Sequence, residues 1–330
     1  MKAAYVTGYG SPEMIEMREV AHPVPGQHEV LVRQMASTVS PADCAMRSGK
    51  PYLVRLFTGL ARPKLPIPGG AVAGVVEAVG SAVTSFRPGQ RVFGTTDPEP
   101  GAMAEYVVIA EDGALAQMPE GLRFEEAGGI TYSFMTAMPF LRDEAKLQPG
   151  QSILINGAAG SIGGIAVQIA RGMGAEVTAV CSAHNADLVR SLGAHHVIDR
   201  HKVDFTKAGV QYDVIFDSVG KSSFAASRSV LKPGGIYLTT VPSLGILLPM
   251  LRGADKAGKR GRLATTGLRK TLDKRADMAV LAAMVARGEL RATIDRTYKL
   301  AEIAAAHAYV EAGTKAGDVI ICFPAAAAGG

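Results

Sequence analysis

A chain of 330 residues exceeds one ordinary hydrophobic core and falls short of three, so two domains are expected. Apolar residues make up 48% and charged residues 20%, with 38 glycines and no tryptophan, a soluble α/β composition that excludes long disordered tracts. The net charge of +5 is concentrated between Arg252 and Arg275, where nine Lys/Arg stand against Asp255 and Asp273; no aromatic is interleaved for base stacking, so a solvated loop leading into a helix is expected there and not a nucleic-acid surface.

No apolar run reaches the roughly 18 residues of a membrane span. The longest, around Val241–Leu251, is broken by Pro242, Gly245 and Pro249. The first residues read as a strand and not as a secretory leader, so a cytoplasmic location is the default expectation. Cys44, Cys181 and Cys322 are scattered and odd in number, and write neither a disulfide framework nor a four-cysteine zinc site. Low complexity is confined to the tail Ala325–Gly330.

In chain order, short β-patterned runs come first: Lys2–Thr7, Glu29–Ala36, Val72–Val79, Arg91–Gly94 and Ala104–Ile109, separated by turns such as Pro25-Gly26 and Pro88-Gly89. They predict a small, mostly antiparallel barrel. A helical stretch follows from Phe124 to about Asp143. Strands are then predicted at Ser152–Asn156, Glu176–Cys181, His196–Ile198, Val214–Asp217 and Ile236–Val241, with helices at Ile162–Met173, Ala186–Leu192 and Ser222–Leu231. This alternation predicts a doubly wound parallel sheet, because each crossover helix covers one sheet face. A sixth strand near Arg262–Arg269, a helix at Leu272–Arg287, a strand at Thr293–Leu300, a helix at Glu302–Ala312 and a strand at Asp318–Phe323 complete the chain.

The strongest chemical signal is the stretch Ile153-Leu-Ile-Asn-Gly157-Ala-Ala-Gly160-Ser-Ile-Gly163-Gly164, a buried strand, a glycine turn and the start of an amphipathic helix. Glycines in that context let the backbone approach a pyrophosphate whose charge meets the helix N-terminus. Dinucleotide binding by Gly157, Ala158, Gly160, Ser161, Ile162 and Gly163 is therefore expected, against the alternative of a tight turn with close helix packing. The next strand ends at Cys181 and is followed by Ser182-Ala-His184-Asn185, without the carboxylate that would hydrogen-bond ribose hydroxyls in an NAD enzyme. Ser182, His184 and Arg200 could instead donate to a 2′-phosphate, which favours NADPH; alternatively, Ser182 and Asn185 only cap the following helix. Ser218, Val219 and Val241 stand at the carboxyl ends of later strands, where ligands of open α/β sheets bind, and are candidates to flank the nicotinamide ribose and ring or to be ordinary strand-end packing.

Ser40-Pro-Ala-Asp43, Pro68-Gly-Gly-Ala-Val-Ala-Gly74-Val-Val-Glu-Ala-Val-Gly80, Arg87-Pro-Gly-Gln-Arg-Val-Phe-Gly94, the Gly157 motif and Ser191-Leu-Gly-Ala194 occur in the order seen in medium-chain quinone oxidoreductases, which the chain resembles over nearly its whole length. The resemblance implies an α/β protein in two parts. A GroES-like β-barrel catalytic domain (1–123 and 289–330) would be interrupted by a Rossmann NADP-binding domain (124–288), and two copies would form a homodimer through the edge strand carrying Leu263-Ala-Thr-Thr266. Zinc alcohol dehydrogenases place a Cys where this chain has Ser40, a His-Glu pair at Gly70-Ala71 and a second Cys about where Tyr132 stands, so the resemblance implies the zinc-free branch. Cys44 alone is expected to be buried filler.

Without a Lewis acid, the chemistry asking least of the protein is conjugate reduction, in which hydride reaches the β-carbon of a quinone or enone and hydrogen-bond donors meet the enolate oxygen. Tyr52, Tyr132, Ser40 and Thr136 carry candidate hydroxyls, Thr136 being counted also among coenzyme-facing residues. Two other readings remain. One is an enoyl-thioester reductase of lipid or polyketide synthesis, with Arg252–Arg275 receiving a pantetheine or coenzyme A phosphate; the other is a non-catalytic, crystallin-like NADPH-binding or sensor protein.

Overall fold

The structure, a computed structural model, describes residues 1–96, 99–264 and 266–324. The tail Ala325–Gly330 and Thr265 of the expected dimer strand lie outside these residues. The chain divides into two compact units, residues 1–132 with the chain from 267 onward, and residues 133–266.

The first unit opens with β1 (Lys2–Val6) and β2 (Ile15–Glu19), an antiparallel pair. Then come β3 (Glu29–Val39), α1 (Pro41–Ser48), α2 (Arg55–Thr58), β4 (Ala71–Val79), β5 (Arg91–Thr95), β6 (Tyr106–Ala110), β7 (Leu115–Gln117) and α3 (Phe124–Pro139), which crosses the boundary between units. Alternate residues of these strands point inward. Val30, Val32, Val72, Val76, Val92, Val107, Ile109 and Leu115 form one buried cluster between them.

In the second unit β8 (Ser152–Asn156), α4 (Ser161–Gly172), β9 (Glu176–Cys181), α5 (Ala186–Ser191), β10 (His196–Asp199), β11 (Tyr212–Asp217), α6 (Phe224–Ser227), β12 (Leu231–Thr239), α7 (Leu244–Arg252) and β13 (Arg260–Leu263) follow one another. The strand order is β10-β9-β8-β11-β12-β13, with every pairing parallel. A strand covered on both faces must be apolar throughout, and Ile153, Leu154 and Ile155 are completely buried. Fully burying a side chain of this size contributes about 1.5–3 kcal/mol.

The chain then returns to the first unit with α8 (Thr271–Ala286), β14 (Ile294–Lys299), α9 (Ile303–Glu311) and β15 (Asp318–Cys322). β15 pairs antiparallel with the end of β3, giving the order β14-β15-β3-β4-β5-β7, and β6 also pairs with β3. Cys44 lies in a second buried cluster of this unit, its Sγ 3.4 Å from Nδ1 of fully buried His307. Burial lowers the His307 imidazole to about 3, with the Arg47 charge adding to the effect, and raises the Cys44 thiol to about 12. Both groups are neutral at pH 7, and the thiol is no nucleophile.

Several boundaries differ from the sequence expectation. The units divide at 132/133 and 266/267 in place of 123/124 and 288/289. The first half of α3 packs on the first unit, where Gly128 meets the Ala36 and Ser37 backbone and Gly129 the Asp318 side chain, and α8 packs on β7. The helix expected over Ser222–Leu231 shrinks to α6 and a 3-10 turn, Arg228–Val230, because Leu231 leaves to pair with Tyr212 as the start of β12. The sixth strand is β13, earlier than Arg262–Arg269. No helix is long and apolar enough to cross a membrane among the described residues.

Gly163 shows how closely α4 sits on its strand. A Cβ there would lie 2.2 Å from the Gly157 carbonyl oxygen, a backbone atom that cannot swing aside. Overpacking of this kind typically costs about 1–3 kcal/mol. Gly163→Ala is expected to reduce stability by that amount, seen in calorimetry as a lower thermal midpoint; an unchanged midpoint would show that the turn yields freely.

Candidate active site

The site of the second unit is built where β8 ends. Gly157 has φ of +81°, and a Cβ on it would lie 2.5 Å from Val219 Cγ1 and 2.9 Å from Ser218 Oγ, so only glycine fits the turn beneath these residues. The Gly160 N–H donates to the Gly157 carbonyl at 2.9 Å and closes the turn. Gly160 is also the N-cap of α4 and brings no side chain to its first turn. Ala158 is buried, and Ser161 and Ile162 open the helix. The glycine turn lies at the carboxyl ends of β8 and β11, where the strand order reverses direction, and the first N–H groups of such a helix attract an anion.

One buried carboxylate organises the neighbouring strand ends. Asp217 accepts from Asn156 Nδ2 (3.1 Å), from the backbone N–H groups of Val219 (3.2 Å) and Ser222 (2.7 Å), and from the Tyr237 hydroxyl (2.9 Å). Burial, with the charge and hydrogen bond of Asp217, holds the Tyr237 phenol above its ordinary range. The Ser218 hydroxyl donates to the Asn156 carbonyl at 2.8 Å. Val219 and Val241 are each 42% exposed, Val219 over Gly157 and Val241 over Gly220. Asp217 is absent from the residues singled out in the sequence, because an acid at a strand end reads as solvent-facing; its signal was the apolar run Val214-Ile-Phe that precedes it.

At the ends of β9 and β10 the Arg200 N–H donates to the Cys181 carbonyl (2.9 Å), which brings Ser182 and Arg200 together. His201 joins them: its Nε2 lies 3.4 Å from Ser182 Oγ and 3.3 Å from Arg200 Nε. His184 is exposed on the one-turn helix after Ser182. Neither Ser182 nor Asn185 makes a side-chain capping hydrogen bond, so capping does not account for them.

In the first unit, Ser40 caps α1. Its hydroxyl donates to Asp43 Oδ2 at 2.6 Å and accepts from the Asp43 N–H at 3.3 Å, while Asp43 Oδ2 also receives the Ser40 N–H. A hydroxyl has one proton, and this one is held by a buried carboxylate, which corrects the expectation that Ser40 donates to a substrate oxygen. Tyr52 is 69% exposed, with the Arg55 guanidinium 5.0 Å from its ring centre, and its hydroxyl bonds to none of the described residues. Tyr132 is half-buried and Thr136 buried, both on α3 but on opposite sides of the boundary between units. No group of three or more His, Cys, Asp or Glu is placed to hold a metal ion among the described residues.

Comparison with known proteins agrees with this architecture. Residues 26–120 match the alcohol dehydrogenase GroES-like domain, and residues 192–321 match the family described as zinc-binding dehydrogenase. A quinone oxidoreductase of Pseudomonas aeruginosa is 33% identical over 340 residues, covering 97% of this chain and 99% of its own. The solved quinone oxidoreductase of Coxiella burnetii superposes with a TM-score of 0.86 at 26% identity, over 98% of this chain and 99% of that one. The Escherichia coli quinone oxidoreductase, solved in complex with NADPH, shares the fold at a TM-score of 0.82 and 24% identity, over 98% and 100% of the two chains. With a GroES-like domain, a Rossmann-type parallel sheet and full-length similarity to quinone oxidoreductases, the chain belongs to the quinone oxidoreductase branch of the medium-chain dehydrogenase/reductase superfamily and is an oxidoreductase.

Proposed function

We propose that this oxidoreductase uses NADPH to reduce quinones or α,β-unsaturated carbonyl compounds without zinc, as a cytoplasmic homodimer joined at β13. The observation that carries the reading is the Gly157 turn, whose Cβ position is closed to any other residue and which opens directly onto α4. Gly157, Ala158, Gly160, Ser161, Ile162 and Gly163 would hold the pyrophosphate. Ser182, His184 and Arg200, with His201 beside them, would receive the 2′-phosphate. Thr136, Ser218, Val219 and Val241 would border the nicotinamide ribose and ring.

When bound, NADPH supplies the hydride. The protein's own task is then to orient the acceptor carbonyl and to stabilise charge on its oxygen, for which a neutral phenol at Tyr52 or Tyr132 suffices. Ser40, Gly70 and Tyr132 stand where zinc relatives carry ligands, which supports a reaction needing no Lewis acid. Oxidation of NADPH by the purified protein only when a quinone, an enone or an enoyl-thioester is added tests the reading and ranks the substrates; no turnover with any of them would leave a binding protein.

NADPH is expected to bind at least about tenfold more tightly than NADH, equivalent to roughly 1.4 kcal/mol from one or two charge-assisted contacts, and Arg200→Ser is expected to remove most of that preference. Calorimetric titration giving equal affinities would overturn it. Activity is expected to survive strong chelators in full; one stoichiometric zinc by elemental analysis, with turnover lost on its removal, would refute metal independence. Loss of one oxyanion donor typically costs about 10²–10³ in rate, and since water can substitute in part, Tyr→Phe at the responsible one of Tyr52 and Tyr132 is expected to lower kcat at least about tenfold while NADPH affinity holds. Wild-type kcat in both single variants and the double variant would remove the phenols from the mechanism.

A further inference from the structure

In the first unit, β1, β2 and the segment before β4 line a recess of about 540 Å³ whose walls include Tyr5, Thr7, Arg18, Arg62, Lys64 and Pro66 and none of the residues assigned above. Three of these are cations, and no acidic residue lines the recess. Arg18 pairs with Glu16 at 2.9 Å, while Arg62 and Lys64 form no ion pair among the described residues. Arg62 and Lys64 thus bring two positive charges without a counter-charge to one concave surface, where an anion would offset their repulsion.

The backbone that carries the cations is held in place. The Arg18 guanidinium lies over the Tyr5 ring, 4.2 Å from its centre, and donates to Glu16 through Nε and Nη2, which leaves its other face and Nη1 for a ligand. Arg62 and Lys64 sit in Arg62-Pro63-Lys64-Leu65-Pro66, where two prolines restrict the backbone. The Lys64 N–H donates to the Thr58 carbonyl (2.8 Å), the Val6 N–H to the Pro66 carbonyl (2.8 Å), and the Tyr9 hydroxyl bonds Thr58 Oγ1 (2.7 Å) at the start of the loop. Little ordering remains to be done on binding.

We propose that this recess is a second anion site, which takes the phosphate groups of a phosphorylated small molecule about the size of a nucleotide. The volume lies within the roughly 300–1,000 Å³ of small-molecule sites, and planar guanidinium groups favour phosphate oxygens and stack on flat rings. Inorganic phosphate shares the chemistry, so both sources are tested.

The experiment is calorimetric titration of adenosine 3′,5′-bisphosphate, and separately of inorganic phosphate, into the protein held at saturating NADPH. One saturable bisphosphate site is expected, weakened about tenfold or more by Arg62→Ser with Lys64→Ser and by raised salt. Tighter binding of the bisphosphate than of phosphate assigns the nucleotide; equal binding assigns the phosphate group alone. No saturable binding of either, or binding unchanged in the double variant, would overturn the proposal. The same titration without NADPH separates the two readings, since a bisphosphate site that survives Arg62→Ser/Lys64→Ser belongs to the coenzyme residues.

Discussion

The carboxylate of Asp217 is the constraint on which the second unit's ligand-facing edge depends. It ends an apolar strand, is wholly withdrawn from water, and receives hydrogen bonds from β8 through Asn156, from its own turn through Val219 and Ser222, and from β12 through Tyr237. A buried polar group is tolerated only when its hydrogen-bonding atoms are satisfied, and leaving one unsatisfied commonly costs about 1–3 kcal/mol. Three adjacent strand ends are tied to one atom pair. Val219 is thereby placed over Gly157, and the turn that needs a glycine is the turn this valine covers.

Ser40 and Ser182 show how one residue type serves two ends. Both begin helical turns in extended backbone, at φ of −106° and −76°. Ser40 closes a reciprocal pair with Asp43 in which its one proton is directed at the carboxyl group. Ser182 has no acid three residues on; Asn185 stands there, makes no cap, and leaves the hydroxyl toward Arg200 and His201. The Ser182 hydroxyl is thus one that helix capping does not consume.

Legibility in the sequence followed the physics of each segment. β8 and β9 run over the residues expected of them, Ser152–Asn156 and Glu176–Cys181, because a parallel strand buried on both faces is apolar without interruption and its ends are abrupt. β2 went unseen: Ile15-Glu16-Met17-Arg18 alternates only over four residues, and of its five residues only Ile15 is buried. α7 was hidden by Pro249, which the helix carries near its end, and the strand expected at Ile236–Val241 starts earlier, at Leu231, because β12 passes through Lys232-Pro-Gly-Gly, which reads as a turn. The glycine turn was legible because strand, glycines and helix are contiguous. The Asp217 network, the Ser182–His201 approach and the Ser40 cap join groups through the fold or through side-chain direction, and spacing along the chain carries little of either.

Three of the nine cations between Arg252 and Arg275, namely Lys259, Arg269 and Lys274, are absorbed by local architecture. Asp255 accepts from the N–H groups of Ala257 (2.8 Å) and Lys259 (3.0 Å) and pairs with Arg228 at 2.6 Å, while Lys259 Nζ donates to the Arg228 carbonyl. Lys274 is almost fully buried, with Nζ on the Gly267 carbonyl, and Arg269 pairs with buried Asp277. These cations satisfy carbonyls and carboxylates that would otherwise be left without partners, so their number says little about ligands. A cation is informative about a ligand where the fold orients it and gives it no counter-charge. By that criterion Arg62 and Lys64, which line one recess without a counter-charge among the described residues, point to an anion.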